Sequence, residues 1–106
     1  MVKRGDIYLI NNGKYGYKPA IIIQNDNLNA TSEYVVALKL TRTPKIESDI
    51  HCKVVSYAPD VMTSTAVCDQ IYTVKKLSLG KHMGRISDEE LAMIDRHVKK
   101  VLGLGV

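Results

Sequence analysis

One stretch, residues 18–26, limits what this chain can fold into more than any other. It begins with Lys18 and Pro19, continues through an alanine and three consecutive isoleucines, and ends in Gln24-Asn25-Asp26. Proline is tolerated at the start of a strand, where its missing N–H costs least. An unbroken β-branched run is typical of a strand buried on both faces. The polar end can bond nearby backbone and turn the chain. The stretch therefore predicts a central strand with a lysine at one end and a turn at the other.

Four more segments have the apolar or alternating character of strands. In the segment 50–56, apolar residues fall on one face, with His51 and Lys53 on the other. The segment 64–74 is long enough to serve two strand pairings, with a bend near Asp69-Gln70. The predicted strands besides the central one are 6–10, 34–40, 50–56 and 64–74. Pro44 is expected to stop regular pairing after the third strand.

The remaining segments are predicted as connections between these strands. The polar and glycine-rich segments 11–17, 25–32 and 45–49 are expected to be loops, and 57–63, with its Pro59-Asp60, a turn. A short helical turn is expected around 75–79, within the ambiguous segment 75–84.

The C-terminal segment carries the clearest helix signal. Ser87 followed by Glu90 forms a capping box, with acidic residues in the first turn and Lys99-Lys100 in the last. Apolar residues recur at helical spacing: Leu91, Ile94, Val98, Val101 and Leu102. Gly103 can end the helix. Strands followed by one helix predict a mainly β fold, a small curled barrel with the helix packed on it.

Length and composition narrow the class of protein. The 106 residues suit a single domain, 1–106, and the net charge of +4 favours an anionic partner, nucleic acid first, although a basic surface without a specific ligand fits equally well. No run approaches the ~20 apolar residues of a membrane span, and the N-terminus lacks an apolar signal core, so we expect no membrane association and a cytoplasmic location. Cys52 and Cys68 are predicted to be free, buried thiols, with a disulfide or metal pair as the less favoured alternative.

The loop 11–17 combines a cation with aromatic rings. It contains Lys14, Tyr15 and Tyr17. Cations beside aromatic rings can hold phosphates and stack bases. The same tyrosines can also simply cover the edge of the barrel. The loop is therefore a candidate nucleic-acid contact with a structural alternative.

Several short motifs occur in an order that resembles a known family. They are Arg4-Gly5-Asp6-Ile7-Tyr8, Lys18-Pro19 leading into Ile22-Ile23-Gln24-Asn25-Asp26, Leu40-Thr41, Asp69-Gln70 and Met83-Gly84-Arg85-Ile86-Ser87. Together they cover almost the whole chain, and they resemble the MazF/PemK-type toxins of type II toxin–antitoxin systems. The first two motifs are fairly specific in combination, whereas either alone is weak.

The resemblance implies a fold, an activity and partners. The fold would be an SH3-like barrel of the CcdB/Kid/MazF kind with a C-terminal helix, working as a homodimer. The activity would be that of an mRNA interferase, a sequence-selective endoribonuclease that cleaves single-stranded RNA through the ribose 2′-OH. It would need no metal and no cofactor. The protein partner would be an antitoxin whose acidic tail, which also contains apolar residues, binds in the toxin's groove.

The resemblance also points to residues for the reaction. The family usually has an arginine directly before the strand's proline, where this chain has Lys18, and a threonine at the end of the third strand, here Thr41. We expect Lys18 to stabilise the phosphate charge and Thr41 to donate a hydrogen bond to it. The structural alternatives are a surface lysine beside a proline and a strand-end hydroxyl that bonds backbone.

Further residues are predicted to contact the substrate. Arg42 could supply the missing guanidinium, although adjacent strand residues point to opposite faces. His51 is a candidate proton shuttle or, alternatively, a solvated strand histidine. Tyr72 occupies a position where some relatives have a basic residue. The full predicted substrate-binding set is Lys14, Tyr15, Tyr17, Arg42, His51, Gln70 and Tyr72.

The same sequence features are compatible with two other functions. The first is a non-cleaving toxin of the same fold that grips a protein, as the gyrase-directed CcdB relatives do. That group relies on a C-terminal tryptophan, and this chain has no tryptophan. The second is a plain nucleic-acid-binding SH3-like module, which predicts salt-sensitive binding without a cleaved product.

Overall fold

The computed structural model describes residues 1–43, 45–55 and 64–105, and these form a mainly β fold with a long C-terminal helix. The predictions for Pro44, Ser56 and the turn 57–63 lie outside the described residues. The elements are β1 (Asp6–Asn11), β2 (Tyr17–Ile22), α1 (Asp26–Thr31), β3 (Tyr34–Thr41), β4 (His51–Val54), β5 (Ser64–Lys75), β6 (Leu79–Arg85) and α2 (Asp88–Leu102). Short 3₁₀ turns span Gly13–Tyr15 and Lys76–Ser78.

The strands form a six-stranded antiparallel sheet in the order β4-β5-β3-β2-β1-β6. The predicted class, mainly β with a C-terminal helix, is confirmed. In the described part of the chain no pairing joins β4 to β6, so the sheet is open rather than closed into a continuous barrel.

The stretch 18–26 does supply a central strand, β2, of which residues 20–22 are buried, whereas Tyr17 and Lys18 are exposed. Ile21 and Ile22 are both 0% exposed and belong to different cores. Ile21 packs with Leu38 and with Ile94 of α2, whereas Ile22 packs with residues of β1 and β3 on the opposite face. The sheet is therefore a layer between two apolar clusters, as the uninterrupted isoleucines predict.

The C-terminal helix has the predicted cap but a shorter buried stripe. Ser87 accepts from the Glu90 backbone N–H, and Glu90 accepts from the Ser87 backbone N–H, which completes the capping box. Ile94 is buried, but Val101 and Leu102 are exposed. The final turn thus buries neither of them against the described part of the sheet, although both fit the helical periodicity.

Two elements were not predicted. The segment 25–32, predicted as a loop, contains α1, because the Asn25 side chain caps the helix by accepting from the Leu28 backbone N–H. The segment 79–85 is β6, an edge strand rich in charged residues and glycine, which pairs with β1 through two register shifts. Neither segment has the apolar periodicity that usually predicts a helix or a strand.

The two cysteines are free and buried, as predicted. They lie on neighbouring strands, and their Sγ atoms are 3.9 Å apart. The hydrogen bond from Cys68 to Cys52, reinforced by burial, raises the pKa of the Cys68 thiol. None of the helices in residues 1–43, 45–55 and 64–105 combines the length and apolarity needed to cross a bilayer.

Candidate RNA-binding cleft

A cleft of about 850 Å³ opens where β2 and β3 stop pairing. The ladder between these strands runs from Ile22–Ala37 to Ala20–Lys39. Continued by two residues, the same register would place Lys18 opposite Thr41, but no pairing is formed there. The strands diverge at this point, and both side chains line the space between them.

The cleft is the polar end of one sheet face. On β3, alternate residues share a face, so Ala37, Lys39 and Thr41 point to the same side. Ala20 pairs with Lys39, and Lys18 is two residues before Ala20 on β2, so Lys18 also shares this side. Within a few residues, one face therefore changes from a buried apolar surface to a row of polar side chains.

The two residues predicted to act on the phosphate differ in exposure. Lys18 is exposed, and Thr41 is half-buried. The backbone N–H of Thr43 donates to Thr41 Oγ1 at 3.2 Å. Because this bond uses the hydroxyl as an acceptor, its hydrogen can still be donated to a ligand in the cleft.

Five of the predicted binding residues also line the cleft: Tyr15, Tyr17, Arg42, Gln70 and Tyr72. Arg42 lines the same space as Thr41 because β3 ends at Thr41, so strict strand alternation no longer applies beyond it. Tyr72 is half-buried, and burial raises its pKa, which keeps the phenol protonated and able to donate.

A bulge in β5 places Gln70 at the cleft. Leu38 of β3 pairs with Ile71, but the next residue, Lys39, pairs with Val67. Three residues of β5, 68–70, are therefore accommodated opposite a single step of β3. The predicted bend near Asp69-Gln70 is confirmed, and Gln70 is exposed at the cleft.

The tyrosines at the rim have defined supports. Tyr17 packs against β6 at Gly80, where an added Cβ would lie 2.8 Å from the Tyr17 ring and 3.1 Å from the Leu9 carbonyl oxygen. Tyr15 ends a 3₁₀ turn, and Lys14 Nζ lies 5.2 Å from the centre of its ring. Both rings remain largely accessible, with Tyr15 69% and Tyr17 56% exposed.

Two predicted residues are not brought to the cleft. Lys14 contacts the ring of Tyr15 but does not line the cleft. His51 lies on β4, pairs with Val67, and is separated from β3 by β5. The alternation of residues in β4 correctly placed His51 on the solvent-facing side of the strand. It could not show that β4 is two strands away from β3, which carries Thr41.

Lys39 is a lining residue that the sequence analysis missed. Its position two residues before Thr41 on a predicted strand was the available signal. With Lys18 and Arg42 it brings the cations in the lining to three, and the described residues of the lining include no carboxylate. The positive potential of this lining favours the binding of an anionic ligand.

Comparisons with known proteins identify the family and agree with the fold. The family described as PemK-like, MazF-like toxin of type II toxin–antitoxin system matches residues 3–102. Endoribonuclease MazF1 of Mycobacterium bovis is 32% identical over 101 residues, which cover 95% of this chain and 92% of that protein.

Solved structures give the same result. An endoribonuclease in complex with its cognate antitoxin, from a mycobacterial species, matches with a TM-score of 0.88 and 28% identity, covering 100% of this chain and 99% of that one. A second mycobacterial endoribonuclease matches with a TM-score of 0.82 and 26% identity, covering 99% and 94%. The resemblance that the sequence motifs indicated is confirmed, and the chain belongs to the PemK-like, MazF-like toxins of type II toxin–antitoxin systems.

Proposed function

We propose that this protein is a sequence-selective endoribonuclease toxin that cleaves single-stranded RNA without a metal ion. The observation that carries the proposal is the cleft in which Lys18 and Thr41, from two diverging strands, face one space with two further cations and no carboxylate among its described residues. The relative that is 32% identical is named an endoribonuclease, which supports cleavage over binding alone.

The proposed reaction follows from the chemistry of RNA. The ribose 2′-oxygen attacks the adjacent phosphorus, the bond from phosphorus to the 5′-oxygen breaks, and a 2′,3′-cyclic phosphate remains. The 2′-OH loses its proton as the new bond forms and the leaving 5′-oxygen takes up a proton, so the reaction releases no net proton. Negative charge accumulates on the non-bridging phosphate oxygens as the new bond forms.

Lys18 and Thr41 meet the electrostatic requirement of this step. The Lys18 ammonium supplies a positive charge, and the Thr41 hydroxyl supplies a hydrogen bond, both directed at the phosphate oxygens. Arg42 and the protonated phenol of Tyr72 lie along the same cleft and can donate to neighbouring phosphate or base atoms. Lysine binds as a point charge, so the planar two-pronged grip of an arginine is missing at this position.

The rim of the cleft suits bases rather than phosphates. Tyr15 and Tyr17 present exposed rings beside the cations. Base stacking on such rings is worth about 1–3 kcal/mol per base, and each base has a face that can stack. Gln70 offers both a donor and an acceptor to base edges. We assign sequence selectivity to this part of the site.

The proposal includes an antitoxin, a dimer and a cellular location. An acidic segment of the antitoxin would occupy the basic cleft and exclude RNA by competition, in line with the solved mycobacterial complex of an endoribonuclease with its cognate antitoxin. We propose that residues 1–106 act as one domain, that two copies associate, and that the protein acts in the cytoplasm, where its RNA substrate is.

The test is incubation of the purified protein with a long single-stranded RNA in the presence of a metal chelator, followed by mapping of the cut sites and their ends. We expect cuts at a defined sequence that leave a cyclic phosphate, loss of cutting in Lys18→Ala, and full cutting in Lys53→Ala, which removes an exposed strand lysine outside the cleft lining. RNA that stays intact with the wild-type protein, or cutting that is the same in Lys18→Ala, would overturn the proposal. Salt-sensitive binding without any product would favour a plain nucleic-acid-binding module.

A further inference from the structure

Lys39 is a cation of the cleft to which the proposed reaction gives no role. It is exposed, it lines the cleft, and it shares a sheet face with Lys18 and Thr41. The described lining residues include no carboxylate that would neutralise it. A lysine in the lining of a cleft without carboxylates can bind an anionic group of the ligand.

The spacing of Lys39 and Thr41 along β3 matches that of neighbouring phosphates in RNA. Lys39 and Thr41 are two residues apart on one strand, which corresponds to about 6.5–7 Å at a rise of about 3.3–3.4 Å per residue. Successive phosphates of an extended single strand are separated by a similar distance. If one phosphate sits between Lys18 and Thr41, the neighbouring phosphate of a strand that runs along β3 falls beside Lys39.

We propose that Lys39 binds the phosphate next to the scissile one and so positions the RNA strand along β3. The substrate class follows: a single strand that carries at least two consecutive phosphodiesters, so that a dinucleotide lacks one of the contacts. The assignment of the scissile phosphate to Lys18 and Thr41 rests on the proposed function. Lys39 is a positioning residue in this account, because it touches the substrate away from the reacting atoms.

The experiment measures binding of a single-stranded oligoribonucleotide whose riboses carry 2′-O-methyl groups, so that cleavage cannot occur. Lys39→Ala is expected to weaken binding severalfold. The slope of the logarithm of the association constant against the logarithm of salt concentration should become shallower by about 0.7, the value for one phosphate contact on a single strand. Lys39→Arg should keep the contact, and Lys53→Ala, another exposed strand lysine, should match the wild type.

A methylphosphonate scan then identifies the phosphate. A neutral methylphosphonate is placed at one linkage at a time in the same oligonucleotide. We expect one linkage at which Lys39→Ala and the wild type bind equally, and a directly adjacent linkage at which Lys18→Ala and the wild type bind equally. The proposal is overturned if both lysines respond to the same linkage, or if Lys39→Ala binds like the wild type throughout.

Failure of this inference can be told apart from failure of the nuclease proposal. If unmodified RNA is cut but the two lysines respond to the same linkage, the role of Lys39 is wrong and the nuclease assignment stands. If the lysines respond to adjacent linkages but unmodified RNA is not cut, the phosphate contact of Lys39 stands and the nuclease assignment falls.

Discussion

Two regions of one sheet face, a few residues apart on the same strands, have opposite properties. At one end, Ile22, Val35 and Ala37 are fully buried and pack against each other. At the other end, Lys18 and Lys39 are exposed in a cleft. The difference follows the pairing of β2 and β3, which ends at Ala20 and Lys39. Before this last pair the face is filled with apolar side chains, and from Lys39 onward the same face has room for a ligand.

The two ends of this face contribute differently to the protein. The paired end supplies burial, and apolar burial stabilises the fold without any specific chemistry. The diverging end contributes exposed cations, which add little to stability but set the potential of the cleft. Substitutions at the two ends should therefore have different consequences for stability and for RNA cleavage.

The largest effect is expected from Ile22→Ala at the paired end. Ile22 is 0% exposed, so the truncation loses transfer free energy and leaves a cavity. We expect a loss of about 2–5 kcal/mol in the free energy of unfolding, measured by urea denaturation. A loss below about 0.5 kcal/mol would mean that this end is not the core that the burial indicates.

The reciprocal change is Lys18→Ala at the diverging end. We expect RNA cleavage to slow by about 10²-fold or more, the usual effect of removing one group that stabilises transition-state charge. The free energy of unfolding should change by less than about 0.5 kcal/mol, because the side chain is exposed. Lys18→Arg should retain cleavage. Slow cleavage accompanied by an equal loss of stability would show that the two ends are not separable.

A smaller effect is expected from Gly80→Ala, which disturbs the rim of the cleft. The new methyl group would meet the Tyr17 ring at 2.8 Å and the Leu9 carbonyl oxygen at 3.1 Å, so the ring must move. We expect weaker RNA binding, of the order of the 1–3 kcal/mol attributed to one stacked base at most. The cleavage rate at saturating RNA should stay near that of the wild type. A loss confined to that rate would contradict a stacking role for Tyr17.

The smallest effect is a pH dependence of stability at Tyr72. Burial raises its pKa above the ordinary value of 10.0, so the unfolded chain loses this proton at lower pH than the folded protein does. The contribution of Tyr72 is therefore complete below about pH 10 and is lost as the pH rises further. Denaturation of wild type and Tyr72→Phe at about pH 9 and pH 11 should show a larger loss in the wild type. Equal losses would show that the phenol is solvated in the folded protein.

The sequence predicted most of the sheet because burial and alternation are local properties. The isoleucines of β2, the alternation of β4 and the capping box of α2 each identified an element from a few neighbouring residues. The bend of β5 at Asp69-Gln70 followed in the same way, from a strand too long for one pairing.

The missed elements lack apolar periodicity and are defined by individual hydrogen bonds, some local and some between distant residues. Asn29 of α1 is buried and donates to the Gln24 carbonyl oxygen, while the Arg4 backbone N–H donates to the Asp26 side chain. A run of polar residues thus forms a helix because the Asn25 cap, the adjacent Gln24 carbonyl and the distant Arg4 N–H all bond to it. The edge strand β6 is likewise defined by its pairing with β1, which includes Tyr8 opposite His82.

The site was predicted in part for the same reason. Family resemblance and strand position identified Lys18 and Thr41, and the structure places both in one cleft. His51 lies outside the cleft, which alternation could not show because it reports a face but not the strand order, and Lys39, which lines the cleft, was not predicted because no motif marks it. Their positions required the order β4-β5-β3-β2 and the register of β2 with β3.

The central claim is that Lys18 and Thr41 act on one phosphodiester, and a double-mutant cycle on RNA cleavage tests it most directly. Single-turnover rates would be measured in a metal chelator for the wild type, Lys18→Ala, Thr41→Val and the double variant. Groups that act as a unit give non-additive losses, so the double variant should be little slower than the slower single variant. Losses that add in full, or a double variant that cleaves at the wild-type rate, would contradict a shared site at the diverging ends of β2 and β3.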